Sequence, residues 1–226
     1  MRPRPIGARP ASRKLFRGPT PPNVIQTLDI GSCTGDYLVK RARKNSKQEK
    51  NIPRKYAAVD PLYEHTIDLA RVRGKQIYIS NIIERLKKNN ILTSSKMAHE
   101  FIQELAQKGM KVRHVNFQMP HPEQENNYNF REIFSSLKKV LLPEGKVFMS
   151  SEQSQFLARI VESAKSEGYI VSEQKTLDPR TNSKRNKGTL KTMCQKSHYR
   201  KNYIIYRVVL TLSPKTLRNQ TRKPKA

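Results

Sequence analysis

Two glycines follow the first apolar run of the chain, in a segment that reads LDIGSCTGDYL from residue 28 to residue 38. A ligand approaches a backbone closely only where side chains are missing, and glycine also adopts the positive φ angles that a tight strand-to-helix turn needs. Gly31 and Gly35 fit this role. The dinucleotide fingerprint G-x-G-x-x-G is not met, because Cys33 stands at its middle position and no third glycine follows Gly35. The segment predicts a ligand-binding turn without a pyrophosphate; the alternative is a bare turn.

A carboxylate ends the second apolar run, where residues 57–61 read AAVDP. At the end of a strand, Asp60 can accept hydrogen bonds from both hydroxyls of a ribose, an arrangement used in several nucleoside-binding folds. The alternative is an Asx-Pro turn with no ligand. Together with the glycine turn, Asp60 predicts a nucleoside site.

The elements that must hold these residues alternate along the chain. Short apolar or β-branched runs predict strands over 24–30, 56–59, 76–79, 112–117, 146–149, 170–177 and 203–212. Helical periodicity marks 36–44, 62–73, 82–86, 97–105, 130–141 and 156–164, and Gly168 ends the last of these. Alternating strands and helices predict a parallel sheet between helices, because a parallel pair needs a crossover that is usually helical.

The predicted fold is a Rossmann-like α/β domain with a seven-stranded, mostly parallel sheet and helices on both faces. The last two strands have only a basic segment, 178–201, between them, so the last strand can be antiparallel. This arrangement resembles the class I methyltransferase fold more than that of a dinucleotide-binding dehydrogenase.

The positive charge is concentrated in three segments of a chain with a net charge of +27. Residues 1–23 hold five Arg and one Lys without an acid, residues 178–201 hold eight Lys or Arg against Asp178, and residues 213–226 hold five without an acid. We therefore predict a disordered, Pro- and Arg-rich arm over 1–23, a folded domain over 24–212 and a basic tail over 213–226. Such segregation favours a polyanion, here RNA, as partner; alternatively, the tails only confer solubility or bind RNA without sequence preference.

Composition excludes several other classes of protein. Two cysteines 161 positions apart, with no C-x-x-C pair, indicate neither a disulfide framework nor a cysteine zinc site. No stretch approaches the roughly 18 to 20 apolar residues of a membrane-spanning helix, so we expect a soluble protein. A reducing compartment, the cytoplasm, is expected. A mitochondrial presequence is the alternative, although Pro3, Pro5 and Pro10 would disrupt its helix.

The glycine turn resembles the first motif of S-adenosylmethionine-dependent methyltransferases, an acidic residue followed by a glycine-rich turn. Cys33 departs from that motif, whose middle residue is usually glycine. The resemblance implies S-adenosylmethionine as cofactor and Asp60 as the residue that holds its ribose. The cofactor-binding residues it implies are Asp29, Gly31, Cys33, Gly35, Asp60 and Asn116.

The second half of the chain is similar to the tRNA (guanine-N7)-methyltransferases. Three short patches carry the likeness: residues 116–122 (NFQMPHP), the pair Ser151-Glu152 with Phe156 four residues on, and residues 192–195 (TMCQ) ahead of the last strand. The family has acids where Met119 and Gln195 stand. Met119 accepts no strong hydrogen bond and Gln195 is neutral, so these departures affect recognition of the base.

The resemblance also implies roles near the acceptor. Glu152 and His121 are the candidate catalytic residues. Guanine N7 carries no proton, so no general base is needed there, and catalysis is expected to come mainly from alignment. The implied substrate-binding residues are Phe117, Pro120, Ser151, Thr192, Gln195, Arg180, Lys184, Arg185 and Lys187. Tyr128 and Tyr199 can stack on a base, whereas Phe130 lies at helical spacing and is expected in the core.

The sequence thus predicts an S-adenosylmethionine-dependent RNA methyltransferase, with guanine N7 of tRNA as the favoured target. The alternative is a non-catalytic RNA-binding or ribonucleoprotein-assembly factor on a methyltransferase fold, motivated by Cys33, Met119 and Gln195.

Overall fold

A computed structural model describes residues 23–32, 35–48, 55–64, 69–72, 75–77, 79–118, 128–177 and 204–221. Its elements, in chain order, are β1 (Val24–Ile30), α1 (Asp36–Gln48), β2 (Lys55–Val59), a 3₁₀ turn (Pro61–Glu64), β3 (Leu69–Val72), β4 (Lys75–Ile77), α2 (Ile79–Lys88), β5 (Ile91–Ser94), α3 (Ala98–Gln107), β6 (Lys111–Gln118), α4 (Phe130–Val140), β7 (Leu141–Ser151), α5 (Ser154–Ser166), β8 (Tyr169–Leu177), β9 (Ile205–Leu212) and α6 (Pro214–Thr221). No helix within these residues is long and apolar enough to cross a membrane.

Seven of the strands form one sheet in the order β5-β2-β1-β6-β7-β9-β8. β5, β2, β1, β6 and β7 are parallel, and β9 is antiparallel to both of its neighbours. This confirms the predicted fold: a mostly parallel sheet with an antiparallel last strand and helices around it. Because β2 and β6 lie on either side of β1, their carboxyl ends meet at one edge, where a crevice forms in open α/β sheets.

Two predicted elements differ from the structure. Residues 62–73 were expected to form a helix, but the chain makes the 3₁₀ turn and then β3, which pairs antiparallel with β4 in a separate hairpin. The third strand of the main sheet is β5 rather than the predicted 76–79. β5 is a short edge strand whose Leu92 is exposed, so its sequence lacks the apolar run of a buried strand.

One layer of helices completes the main core. Side chains of α3, α4 and α5 pack on the sheet with residues such as Leu28, Val115 and Val147, each fully buried. α6, in the segment assigned to the basic tail, is attached to this core by Leu217 and by the hydroxyl of Thr216, which donates to the Gly168 carbonyl at 3.0 Å.

The other side of the sheet is covered over only part of its width by described residues. α1 and α2 form a second cluster with β2 and β5, made of residues such as Leu38, Tyr56 and Leu86. No described helix contributes to an apolar cluster over β7, β9 and β8 on this side. We call this part of the sheet the open face; His114 of β6 lies at its border with α1.

His114, at the border of the open face, has an unusually low pKa. Burial, followed by the positive charges of Arg41, Arg113 and Lys146, lowers the pKa of His114 to about 4. In the unfolded chain, the pKa of a histidine is near its ordinary value of 6.5. Between about pH 4 and pH 6.5 the unfolded state therefore binds more protons than the folded state.

We therefore expect the free energy of unfolding to fall as the pH is lowered from 6.5 towards 5. Urea denaturation at several pH values measures this slope, and His114→Gln should flatten it, because glutamine does not titrate. A His114→Gln variant with the full pH dependence of the wild-type chain would contradict this assignment.

Candidate functional site

The turn after β1 has the geometry that its glycines predict. Gly31 and Gly35 have φ angles of +63° and +64°, which L side chains rarely adopt. The Gly31 amide donates to the Val59 carbonyl at 2.9 Å and so attaches the turn to the end of β2. α1 begins at Asp36, directly after the turn. The missing Cβ of Gly35 makes room for the side chain of Leu86, which lies 2.5 Å from the position that a Cβ would take, so it is the backbone of Gly31 that faces the site.

Asp29 and Asn116, both predicted at the site, lie side by side under this turn. They are paired in the register of β1 and β6, and they are 1% and 2% exposed. The side-chain amide of Asn116 donates to Oδ1 of Asp29. Neighbouring residues of a parallel pair share a face of the sheet, which is why two residues 87 positions apart meet.

Asn116→Ala removes a buried hydrogen bond to a carboxyl group, and we expect it to lower the free energy of unfolding by about 1.5–3 kcal/mol. Chemical denaturation measures the change. Asn129→Ala, which removes an exposed amide from the start of α4, is a comparison expected to cost about 1 kcal/mol. A smaller loss for Asn116→Ala than for Asn129→Ala would show that the buried contact contributes little.

Asp60 lies where β2 ends, 5% exposed, beside the glycine turn. Its backbone is held on both sides: its amide donates to the Ser94 carbonyl at 3.0 Å, and its carbonyl accepts from the Tyr63 amide at 3.0 Å. The hydroxyl of Tyr63 in turn hydrogen-bonds the hydroxyl of Ser32 in the turn. These hydrogen bonds fix the backbone of Asp60 relative to the glycine turn after β1.

Tyr128 is a second aromatic residue at the glycine turn, after Tyr63. Its hydroxyl lies 3.3 Å from the point that a Cβ on Gly31 would occupy. Burial, with a contribution from the negative charge of Asp60, raises the pKa of Tyr128 to about 12. The phenol is therefore neutral near pH 7 and can donate a hydrogen bond above the turn.

An aromatic cluster supports Tyr128 from below. Its ring stacks on Phe130 at 5.8 Å and meets the edge of Phe117 at 5.3 Å. Phe130 is buried in the main core, as expected. Phe117, for which substrate binding was expected, is buried in the same core and contacts Tyr128 there. Position 128 owes its place to Asn129, which caps α4 by accepting from the Glu132 amide at 3.2 Å.

The end of β7 supplies a second carboxylate at the same edge. The hydroxyl of Ser151 accepts from the Gln153 amide at 3.1 Å, which fixes the chain around Glu152. Oε2 of Glu152 is buried and has no hydrogen-bond partner among the described residues; the hydroxyl of Ser150 is in the same state. A buried polar atom without a partner is costly, and such atoms are often completed by a ligand or water.

Several predicted site residues lie outside the described part of the chain. These are Cys33, Pro120, His121, Arg180, Lys184, Arg185, Lys187, Thr192 and Gln195. The described residues bring together Asp29, Gly31, Gly35, Asp60, Asn116, Phe117, Ser151 and Glu152 at or beside the carboxyl edge of the sheet.

Comparison with known proteins identifies the architecture. No protein-family model matches the sequence, and no curated protein is similar to it by sequence. The solved structures it resembles include the 16S rRNA (adenine(1408)-N(1))-methyltransferase of Catenulisporales acidiphilia with its cosubstrate SAM (10% identity, 90% of this chain and 89% of that one, TM-score 0.52). The 16S rRNA methyltransferase KamB is also similar (14% identity, 84% and 88%, TM-score 0.50).

A third similar structure is TrmN of Thermus thermophilus, with 12% identity and a TM-score of 0.51 over 83% of this chain and 44% of that one. At these identities the likeness is one of fold. The chain has the seven-stranded Rossmann-like architecture of these methyltransferases.

Proposed function

We propose that this chain is an S-adenosylmethionine-dependent RNA methyltransferase. The observation that carries the proposal is the meeting of three features at one edge of the sheet. They are the turn at Gly31, which has no Cβ, the buried carboxylate of Asp60 on the adjacent strand, and a buried oxygen of Glu152 that has no hydrogen-bond partner among the described residues. In open α/β sheets, ligands bind at this edge.

The residues present fit S-adenosylmethionine. The positive φ angle at Gly31 leaves backbone without a Cβ atom where the amino-acid end of the cofactor would pass. The space beside Gly35 is taken by the side chain of Leu86, so Gly35 serves the packing of the turn against α2. Asp60 offers two oxygens for the two ribose hydroxyls. When bound, the cofactor supplies a methyl group on a positively charged sulfur and leaves as a neutral thioether.

The chain's own residues then bind and align. Asp60 accepts from the ribose hydroxyls, and the neutral phenol of Tyr128 donates from above Gly31. Glu152 accepts from the donor edge of the base and so orients the acceptor atom. The lone pair of a guanine N7 is already free, so alignment of the reactants, worth about 7–11 kcal/mol, is the main contribution required.

Within this class, we propose tRNA as the substrate and guanine N7 as the atom. The similarity of residues 116–122, Ser151-Glu152 and 192–195 to the guanine-N7 family supports the choice of atom. The three basic segments support a polyanionic substrate, and Arg180, Lys184, Arg185 and Lys187 are proposed to grip it. Two of the similar structures are rRNA methyltransferases, which supports RNA as the substrate class.

The test is incubation of the full chain with total tRNA and radiolabelled S-adenosylmethionine, followed by nucleoside analysis of the RNA. Label in 7-methylguanosine is expected. Label in a different nucleoside would support RNA methyltransferase activity but show that guanine N7 is not the target. A folded protein that transfers no label to RNA would show that the proposal of an RNA methyltransferase is wrong.

A second candidate is a non-catalytic RNA-binding factor on the same fold. Tyr128 favours it, because its hydroxyl takes part of the space above Gly31 that a cofactor needs. The departures at Cys33, Met119 and Gln195 point in the same direction. Binding of S-adenosylmethionine separates the two candidates, since only the enzyme needs it.

A further inference from the structure

The open face of the sheet carries a connected set of cations around one aromatic ring. The guanidinium of Arg207 lies over the ring of Phe148, 5.3 Å from its centroid. The ring of His114 meets Phe148 edge-on at 5.7 Å. Phe148 thus contacts both Arg207 and His114, on a part of the sheet that no described helix covers.

Further charges extend this set along β7 and β8. Lys146 is exposed, two residues before Phe148 on the same side of its strand. Because β7 lies between β6 and β8 in the sheet, Lys146 lies between His114 and Glu173. Lys175 pairs with Glu173 at 2.7 Å. With Arg41 of α1, this patch carries four permanent cations against the one carboxylate of Glu173. We call the surface formed by Arg41, Lys146, Phe148, Lys175 and Arg207 the cationic face.

The charge of the patch selects its occupant. The two longest segments of the chain outside the described residues, 1–22 and 178–203, are strongly basic, so charge opposes their docking here. A polyanion is complementary. The guanidinium plane of Arg207, which lies over the ring of Phe148, is also a group on which unpaired bases stack. These features favour a single-stranded part of an RNA over an acidic protein, which offers charge but no bases.

The cationic face also reaches the candidate site. In the antiparallel pairing of β7 with β9, Arg207 lies opposite Ser150, two residues before Glu152. A strand bound along Lys146, Phe148 and Arg207 therefore runs towards the carboxyl edge of the sheet.

We infer that the cationic face, formed by Arg41, Lys146, Phe148, Lys175 and Arg207, is an RNA-binding surface that holds an unpaired segment of the substrate beside the candidate site. Its role in delivering a substrate rests on the proposed function. RNA binding by the face does not, because it needs no cofactor.

The test measures the affinity of the full chain for fluorescently labelled tRNA by anisotropy over a series of salt concentrations. Lys146→Glu is expected to weaken binding about tenfold and to lower the slope of log affinity against log salt by about one. Phe148→Leu should weaken binding to a single-stranded oligoribonucleotide with little change in that slope, because it removes the ring that holds the Arg207 guanidinium in place but removes no charge.

Lys139→Glu is the matched control, since this exposed lysine lies on α4, on the helix-covered side of the sheet. Equal losses for Lys146→Glu and Lys139→Glu would overturn the inference, because only net charge would then matter. Unchanged RNA affinity for Lys146→Glu would also overturn it and would favour an acidic protein at the face. Binding of S-adenosylmethionine is measured separately on the same variants and on the wild-type chain. If none of these proteins binds S-adenosylmethionine, the proposed function is wrong, but the RNA-binding surface is not affected by that result.

Discussion

Asp60→Ala is expected to lower the affinity for S-adenosylmethionine at least about 100-fold. The proposed contact is a carboxylate that accepts from two ribose hydroxyls. Hydrogen bonds to a charged group contribute about 1.5–3 kcal/mol each, and about 2.7 kcal/mol corresponds to 100-fold. Isothermal titration calorimetry on the wild-type chain and the variant measures the ratio. Asp60→Asn, which keeps the shape but loses the charge, should give an intermediate affinity.

Glu64→Ala is the control for this prediction, because Glu64 is an exposed carboxylate of the adjacent 3₁₀ turn. It should leave the affinity unchanged. Thermal melting of each variant shows whether the fold is kept, since the Asp60 backbone contacts to Ser94 and Tyr63 do not depend on its side chain. If folded Asp60→Ala binds S-adenosylmethionine as the wild-type chain does, Asp60 does not hold the ribose.

Glu152→Gln is expected to lower kcat for methyl transfer to RNA about 10- to 100-fold while leaving the affinity for S-adenosylmethionine unchanged. A charge-assisted hydrogen bond from the donor edge of the base to Glu152 is worth about 1.5–3 kcal/mol, and a neutral amide loses most of it. Single-turnover kinetics with saturating RNA measure the step.

The stability of the variant tells this role apart from a structural one. Oε2 of Glu152 has no hydrogen-bond partner among the described residues, so Glu152→Gln should not lower the free energy of unfolding. Glu162→Gln, at an exposed position of α5 that pairs with Lys165, is the matched control and should leave kcat unchanged. A Glu152→Gln variant that is less stable but equally active would show that Glu152 stabilises the folded chain and does not take part in methyl transfer.

Much of the fold was predictable because its helices and buried strands follow simple periods. β1 (VIQTLDI) is rich in apolar and β-branched residues, and α4 repeats its apolar residues at three- and four-residue spacing. The hairpin of β3 and β4 was missed, although Arg73-Gly74 between its strands is a two-residue connection of the kind that hairpins favour. Strands of four and three residues are too short to show a clear period.

The candidate site was predictable only where residue type itself carries the signal. A glycine with positive φ after a strand, or an acid at a strand end, can be recognised from local sequence. The contact of Asn116 with Asp29 depends on strand order and register, which local patterns do not contain. The position of Tyr128 depends on where α4 begins, and the cationic face depends on which part of the sheet the described helices leave open.

The most direct test of the central claim is calorimetric titration of the folded wild-type chain with S-adenosylmethionine. We expect saturable binding at one site per chain, competed by S-adenosylhomocysteine, the product of methyl transfer. A folded chain that binds neither compound, with and without tRNA, would contradict the proposal that this is a methyltransferase.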